Sequence, residues 1–229
     1  MQPNFQTFNN TSQLAVSQQK VLRNTYMMLG LTMIPTVIGA FIGMSLRFGF
    51  MAQHPLLAMV GMLAVMFALF MGISANRNNG LGVLLLLAAT FFFGLMLGPI
   101  LQVALHFRNG GQLVGMAAGG TGAIFLTLAT IATVTKKDFS FLGKFLFVGL
   151  VMLILASLAN MFFHIPAASL AISAIAIMIF SGYLLFDISR VILGGETNYV
   201  MATLAIYLDI YNIFVNLLNL LMALAGNRD

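Results

Sequence analysis

Asp187 and Asp209 are two of only five acidic residues in a chain of 229, and each lies in a long apolar stretch. A carboxyl placed there is costly, so it needs a partner and marks a functional site by default. The richer stretch is 203–224, TLAIYLDIYNIFVNLLNLLMAL, which carries Asp209, Asn212, Asn216 and Asn219 at i, i+3, i+7 and i+10. At about 100° per residue these four share one helix face. At about 1.5 Å per residue the stripe runs roughly 15 Å. A carboxylate and three amides cannot face lipid, where each unsatisfied polar group costs several kcal/mol. The spacing therefore predicts a helix inside a bundle, its polar stripe turned inward and the other segments wrapped around it.

Asp187 closes the preceding apolar stretch, three residues before Arg190. Antiparallel helices would put Asp187 and Asp209 at similar depth, within reach of each other. Two carboxyls that close cannot both ionise cheaply, so they share one proton and titrate as a unit near neutral pH. Protonated, the pair hydrogen-bonds and holds its helices together. Deprotonated, it repels itself and offers oxygen ligands to a hard cation such as Ca²⁺. That is a pH-gated cation path in outline, with Asn212, Asn216 and Asn219 lining or sealing it. Two plainer readings stand beside it. Asp187 and Arg190 suit an intrahelical ion pair, and the asparagines suit hydrogen bonding between helices.

Glu196 follows two glycines and precedes Thr197 and Asn198, near the start of the last span. A carboxylate in a first helical turn is favoured by the helix dipole; a second role for Glu196 is the mouth of the ion path. His54, His106 and His164 show no metal-ligand spacing. Gly94, Gly98 and Pro99 bend the third span or let a neighbour approach. Phe91, Phe92 and Phe93 read as packing.

The elements that must position these residues are membrane spans. The chain is 61% hydrophobic and 7% charged, a membrane composition. Seven apolar runs of bilayer length occur at about 26–46, 55–75, 81–105, 113–135, 145–163, 167–188 and 203–224. Pro35 falls inside the first. Connections are short, so the fold class is all-α: a polytopic seven-helix transmembrane bundle with the seventh helix central. Residues 1–19 are polar and read as a disordered tail, and 20–229 as one transmembrane domain. The tail shows no cleavable signal pattern, so the first span serves as its own insertion signal. With the N-terminus inside, Lys20, Arg23, Arg77, Lys136, Lys137, Lys144 and Arg190 fall on the inner side, against Arg47, Arg108 and Arg228 outside. Seven against three favours a cytoplasmic N-terminus and an outer C-terminus. The scattered cations are topology signals and not a nucleic-acid patch. With no cysteine there is no disulfide, thiolate metal site or cysteine nucleophile.

KVLRNTY (20–26), GLMLGPIL (94–101), TKKDFSFLG (135–143), GGETNY (194–199) and YLDIYNIFVNLL (207–218) resemble the Bax-inhibitor-1, or transmembrane Bax inhibitor motif, family. The resemblance covers nearly the whole chain from Lys20. It is nearest to the proteobacterial branch that includes a modulator of the membrane protease FtsH. It implies seven helices with the last at the centre, an inner-membrane location, and a pH-sensitive Ca²⁺ leak in members bearing a di-aspartyl pair. Asp187 and Asp209 match that pair by position. The channel-type members also place an arginine in the second helix, whereas 55–75 holds no charged residue.

Other classes are excluded by their missing parts. An intramembrane aspartyl protease sets its helix-seven aspartate in Gly-x-Gly-Asp, whereas Asp209 lies in IYLDIY. A retinal pigment needs a lysine in the last helix, and no lysine follows Lys144. No internal repeat of a transporter is visible. The expectation is a non-enzymatic Ca²⁺ leak with Asp187 and Asp209 as latch and transient calcium ligands, and no cofactor. The alternative is a regulator that binds FtsH without conducting ions, its polar tail serving as a handle.

Overall fold

The computed structural model describes residues 5–46 and 53–226, with side chains from Val16 onward except that of Pro55. The described residues form seven long helices: α1 (Phe5–Ser45), α2 (Pro55–Ala75), α3 (Gly80–His106), α4 (Gly110–Thr135), α5 (Leu142–Phe163), α6 (Pro166–Leu193) and α7 (Tyr199–Gly226). All seven contain a stretch long and apolar enough to cross a bilayer, and no strand occurs among the described residues. The chain is a multi-pass membrane protein. Arg47 and Arg228, two of the three cations counted on the outer side, lie outside the described residues.

The ends of the helices have local causes. Asn79 begins α3 by accepting the Leu81 and Gly82 N–H groups at 3.0 and 3.2 Å. Left-handed residues end three helices: Lys136 (φ 48°), His164 (φ 50°) and Gly194 (φ 79°). α1 begins at Phe5, within the polar tail that composition reads as disordered, and its membrane-length part begins at Val16. Gln, Ala, Leu, Lys and Arg at 13–23 are good helix formers, so nothing there stops the helix. Pro35 does not end α1. α6 also outruns its expected end at 188, because the first residue able to stop it is Gly194.

α7 is the centre. It packs against α1, α2, α3, α4 and α6, while among the described residues α5 touches α6 alone. Val200, Ile206, Tyr207, Ile213 and Leu218 of α7 are fully enclosed. The Tyr207 hydroxyl meets Thr36 Oγ1 at 2.9 Å and the Thr90 carbonyl at 3.4 Å, joining α7 to α1 and α3. The outer surface carries exposed large apolar residues such as Phe67, Met71, Phe145 and Phe162, the expected lipid-facing set.

The tightest helix pair is α1 with α3. Gly39 and Gly43 of α1 face Gly94 and Gly98 of α3, each pair one turn apart. A Cβ at any of the four would run into the backbone of the opposite helix. Of the two roles expected for Gly94 and Gly98, close approach is thus the one seen. Gly98→Ala should destabilise the bundle by about 1–3 kcal/mol through overpacking. Gly61→Ala, where a Cβ meets nothing within 4 Å, should be neutral or slightly stabilising. Thermal unfolding of the two variants in detergent checks the contrast.

Candidate functional site

α6 and α7 meet through a short return. Arg190 lies inside α6, and its carbonyl accepts the Gly195 and Glu196 N–H groups at 2.8 and 3.2 Å. Gly194 takes the left-handed turn, and a side chain there would strike the Gln18 amide of α1. Asn198 caps α7: its Oδ1 accepts the Val200 and Met201 N–H groups at 3.0 and 3.1 Å. Its amide donates to the Arg77 carbonyl and to Asn78 Oδ1, both at 2.9 Å, so the α2–α3 loop hangs on the same residue. Ser189 does likewise for the α4–α5 loop, donating to the Lys137 carbonyl at 2.9 Å and accepting from the Phe139 N–H at 3.4 Å. In that loop Asp138 accepts the Ser140 N–H at 2.8 Å. The Ser140 hydroxyl and N–H together hold the Asp138 carboxyl below its usual range.

Beneath this knot the Asp187 and Asp209 carboxyls come within hydrogen-bonding reach of each other. Ionised carboxylates only accept, so a bond between them needs one proton. Asp209 is 5% exposed, and its Oδ2 is buried with no hydrogen-bond partner among the described residues. The Asp187 side chain is 15% exposed and faces the Arg190 guanidinium at 3.8 Å. Arg190 also reaches Glu196 Oε2 at 4.0 Å and lies over the Phe186 ring, 5.5 Å from its centroid. Tyr183, one turn before Asp187, lies within electrostatic reach of both carboxyls. The Asp187–Arg190 ion pair and the carboxyl pair therefore coexist.

The other expected site residues fall less simply. Glu196 lies three residues before α7 and not in its first turn; it accepts the Asn198 N–H at 2.9 Å, and Asn198 does the capping. The Asn at the helix start was a legible signal for that role. Asn212 and Asn216 are half-buried and donate back to their own helix, to the Leu208 and Asn212 carbonyls, both at 2.8 Å. Each thus places an amide donor on a carbonyl of its own helix. Asn219 is also half-buried. A cavity of about 960 Å³ lies against the opposite face of α7, lined by Tyr207, Tyr211 and Phe214 with residues of α1, α3 and α4. None of the three asparagines lines it. Among the described residues no three His, Cys, Asp or Glu side chains converge as an ion-binding group.

Comparison with known proteins places the chain. The family described as inhibitor of apoptosis-promoting Bax1 matches residues 18–227. The modulator of FtsH protease YccA of Escherichia coli K12 is 41% identical over 208 residues, 90% of this chain and 91% of the relative. The protein called inner membrane protein YccA in Escherichia coli O6:H1 shares the same 41% over the same coverage, 90% and 91%. A membrane protein of Vibrio cholerae is 38% identical over 222 residues, 96% of this chain and 97% of its own length.

Because Asn198 holds the cap of α7 and the α2–α3 loop together, Asn198→Ala should cost about 1–2 kcal/mol. It should also speed amide hydrogen exchange at 76–79 while leaving 136–140, which hang on Ser189, unchanged. Exchange mass spectrometry of both loops reads this directly.

Proposed function

The chain belongs to the Bax inhibitor-1 family, and from its carboxyl pair we propose that it mediates a slow, pH-sensitive leak of calcium across the bacterial inner membrane, with Asp187 and Asp209 as the latch. The observation that carries this reading is the contact of two carboxyls across α6 and α7, one of them buried with an oxygen unpartnered among the described residues. With one proton between them the pair bridges α6 to α7. Without it, two negative charges a few ångströms apart repel, and the helices part at that depth. Both oxygen sets then face a cation arriving from the α6–α7 linker, where Glu196 stands at the mouth. Asn212, Asn216 and Asn219 continue the polar face of α7 beyond the pair. The excess of basic residues on the linker side, seven to three, supports a cytoplasmic placement of that end and of the N-terminus.

The second reading is modulation of FtsH by direct contact, without conduction. It is favoured by the name of the Escherichia coli K12 relative, modulator of FtsH protease, and by the length of α1, whose first residues, from Phe5, precede the membrane-length part that begins at Val16. That stretch would serve as a cytoplasmic handle. Deleting residues 1–19 should then lengthen the protein's lifetime in cells, read by pulse-chase; an unchanged lifetime counts against the handle.

The leak is tested by Ca²⁺ flux into proteoliposomes of the purified chain at pH 6, 7 and 8. Flux should rise with pH, because deprotonation opens the pair. Asp209→Asn and Asp187→Asn should each abolish the pH dependence. Flux no greater than that of empty liposomes at every pH would transfer the function to the FtsH reading.

A further inference from the structure

We propose that Arg190 is a tethered cation that occupies the mouth of this path and competes with the ion that must enter it. The inference rests on the proposed leak and deepens it. Its observations are geometric. Glu196, Asp187 and Asp209 grade inward from water: their side chains or residues are 26%, 15% and 5% exposed. The Arg190 guanidinium touches the two outer carboxylates, at 3.8 and 4.0 Å, and not the innermost. Both ion pairs share the one cation, Arg190. Behind it stands the buried Asp209 Oδ2, with no partner among the described residues and next in line for any cation that passes.

The plug is built to release. Ion pairs at 3.8–4.0 Å are loose for a guanidinium and a carboxylate, which fork together at about 2.7–2.9 Å when fully engaged. The arginine side chain is 39% exposed, so it can swing into water. The Phe186 ring beneath the guanidinium adds cation–π contact that biases it back over the mouth. A hard divalent cation prefers carboxylate oxygens and cannot use a guanidinium. It therefore enters by displacing Arg190 from Glu196 and then from Asp187, before reaching Asp209. Gly194 and the Arg190 carbonyl hold the linker in register without using the Arg190 side chain, so the fold of the return does not depend on the plug.

The test uses the full chain in proteoliposomes at pH 8, with Arg190→Gln, Arg190→Lys, Phe186→Leu and Asp209→Asn beside the unaltered protein. A unit charge about 4 Å from the entering divalent ion corresponds to about a thirtyfold change in occupancy even with water's screening. Arg190→Gln should raise Ca²⁺ flux by up to about thirtyfold, and added guanidinium ion should lower it again. Arg190→Lys should restore most of the block. Phe186→Leu keeps every charge and should give a smaller rise in the same direction, which covers the case of a poorly folding Arg190→Gln. Flux that needs Asp209 but stays unchanged in both Arg190→Gln and Phe186→Leu would overturn the plug and leave the leak standing. A rise equal in Gln and Lys variants and indifferent to guanidinium would reduce Arg190 to a linker strut and overturn it as well. Absence of flux in every protein would remove the leak and the plug together.

Discussion

Two carboxyls on neighbouring antiparallel helices, away from water, impose the constraint on which this structure turns. A buried carboxylate without a partner is costly, and two of them in contact cost more. The economical solution is a shared proton, and it requires α6 and α7 to stay in register to within a fraction of a turn. The linker is shaped by that requirement. Gly194 ends α6 with a positive φ, Asn198 starts α7, and Glu196 spans the gap between them through the Asn198 N–H. Ser189 and Asn198 then fasten the other two loops at that end to the same return. Any change in the separation of α6 and α7 is therefore passed to three loops at once.

The rest of the bundle divides into a rigid part and a loose part. Gly39, Gly43, Gly94 and Gly98 press α1 against α3, and the Thr36–Tyr207–Thr90 hydroxyl node fixes α7 to both. Glycine contacts of this kind work in lipid because the hydrophobic effect cannot drive helices together there, while close backbone packing can. α2 and α5 sit outside this frame, α5 on α6 alone among the described residues. α7 thus presents an aromatic, hydroxyl-bearing face to the rigid side and its carboxyl and asparagines elsewhere. A helix with such unlike faces can hold a fixed core and a polar path at the same time.

Much of this was legible before any coordinates. Runs of about 20 apolar residues have no alternative reading in a bilayer, so the seven spans and their antiparallel order followed from length alone. The meeting of Asp187 and Asp209 followed from their distances to the α6–α7 return. What escaped notice depended on helix ends. Charged and polar residues at 189–190 suggested a linker, yet helices stop where a residue can adopt the left-handed turn, and that residue is Gly194. The shift put Ser189 on α6, where it holds the α4–α5 loop, and kept Arg190 on the same helix as Asp187, as their spacing suggests. The asparagine stripe was visible as a pattern, but a pattern cannot tell an amide that crosses to a neighbour from one that folds back on its own carbonyls, as Asn212 and Asn216 do. Gly39 and Gly43 carried no chemistry of their own and became meaningful only opposite Gly94 and Gly98.

The central claim is that Asp187 and Asp209 hold one proton between them and lose it as pH rises. Infrared difference spectroscopy of the purified chain in lipid, between pH 6 and pH 8, tests it most directly. The account predicts a protonated-carboxyl band at pH 6 that fades by pH 8 and is missing from the difference spectra of both Asp187→Asn and Asp209→Asn. A spectrum without that band, or with one that persists unchanged in both variants, would contradict it.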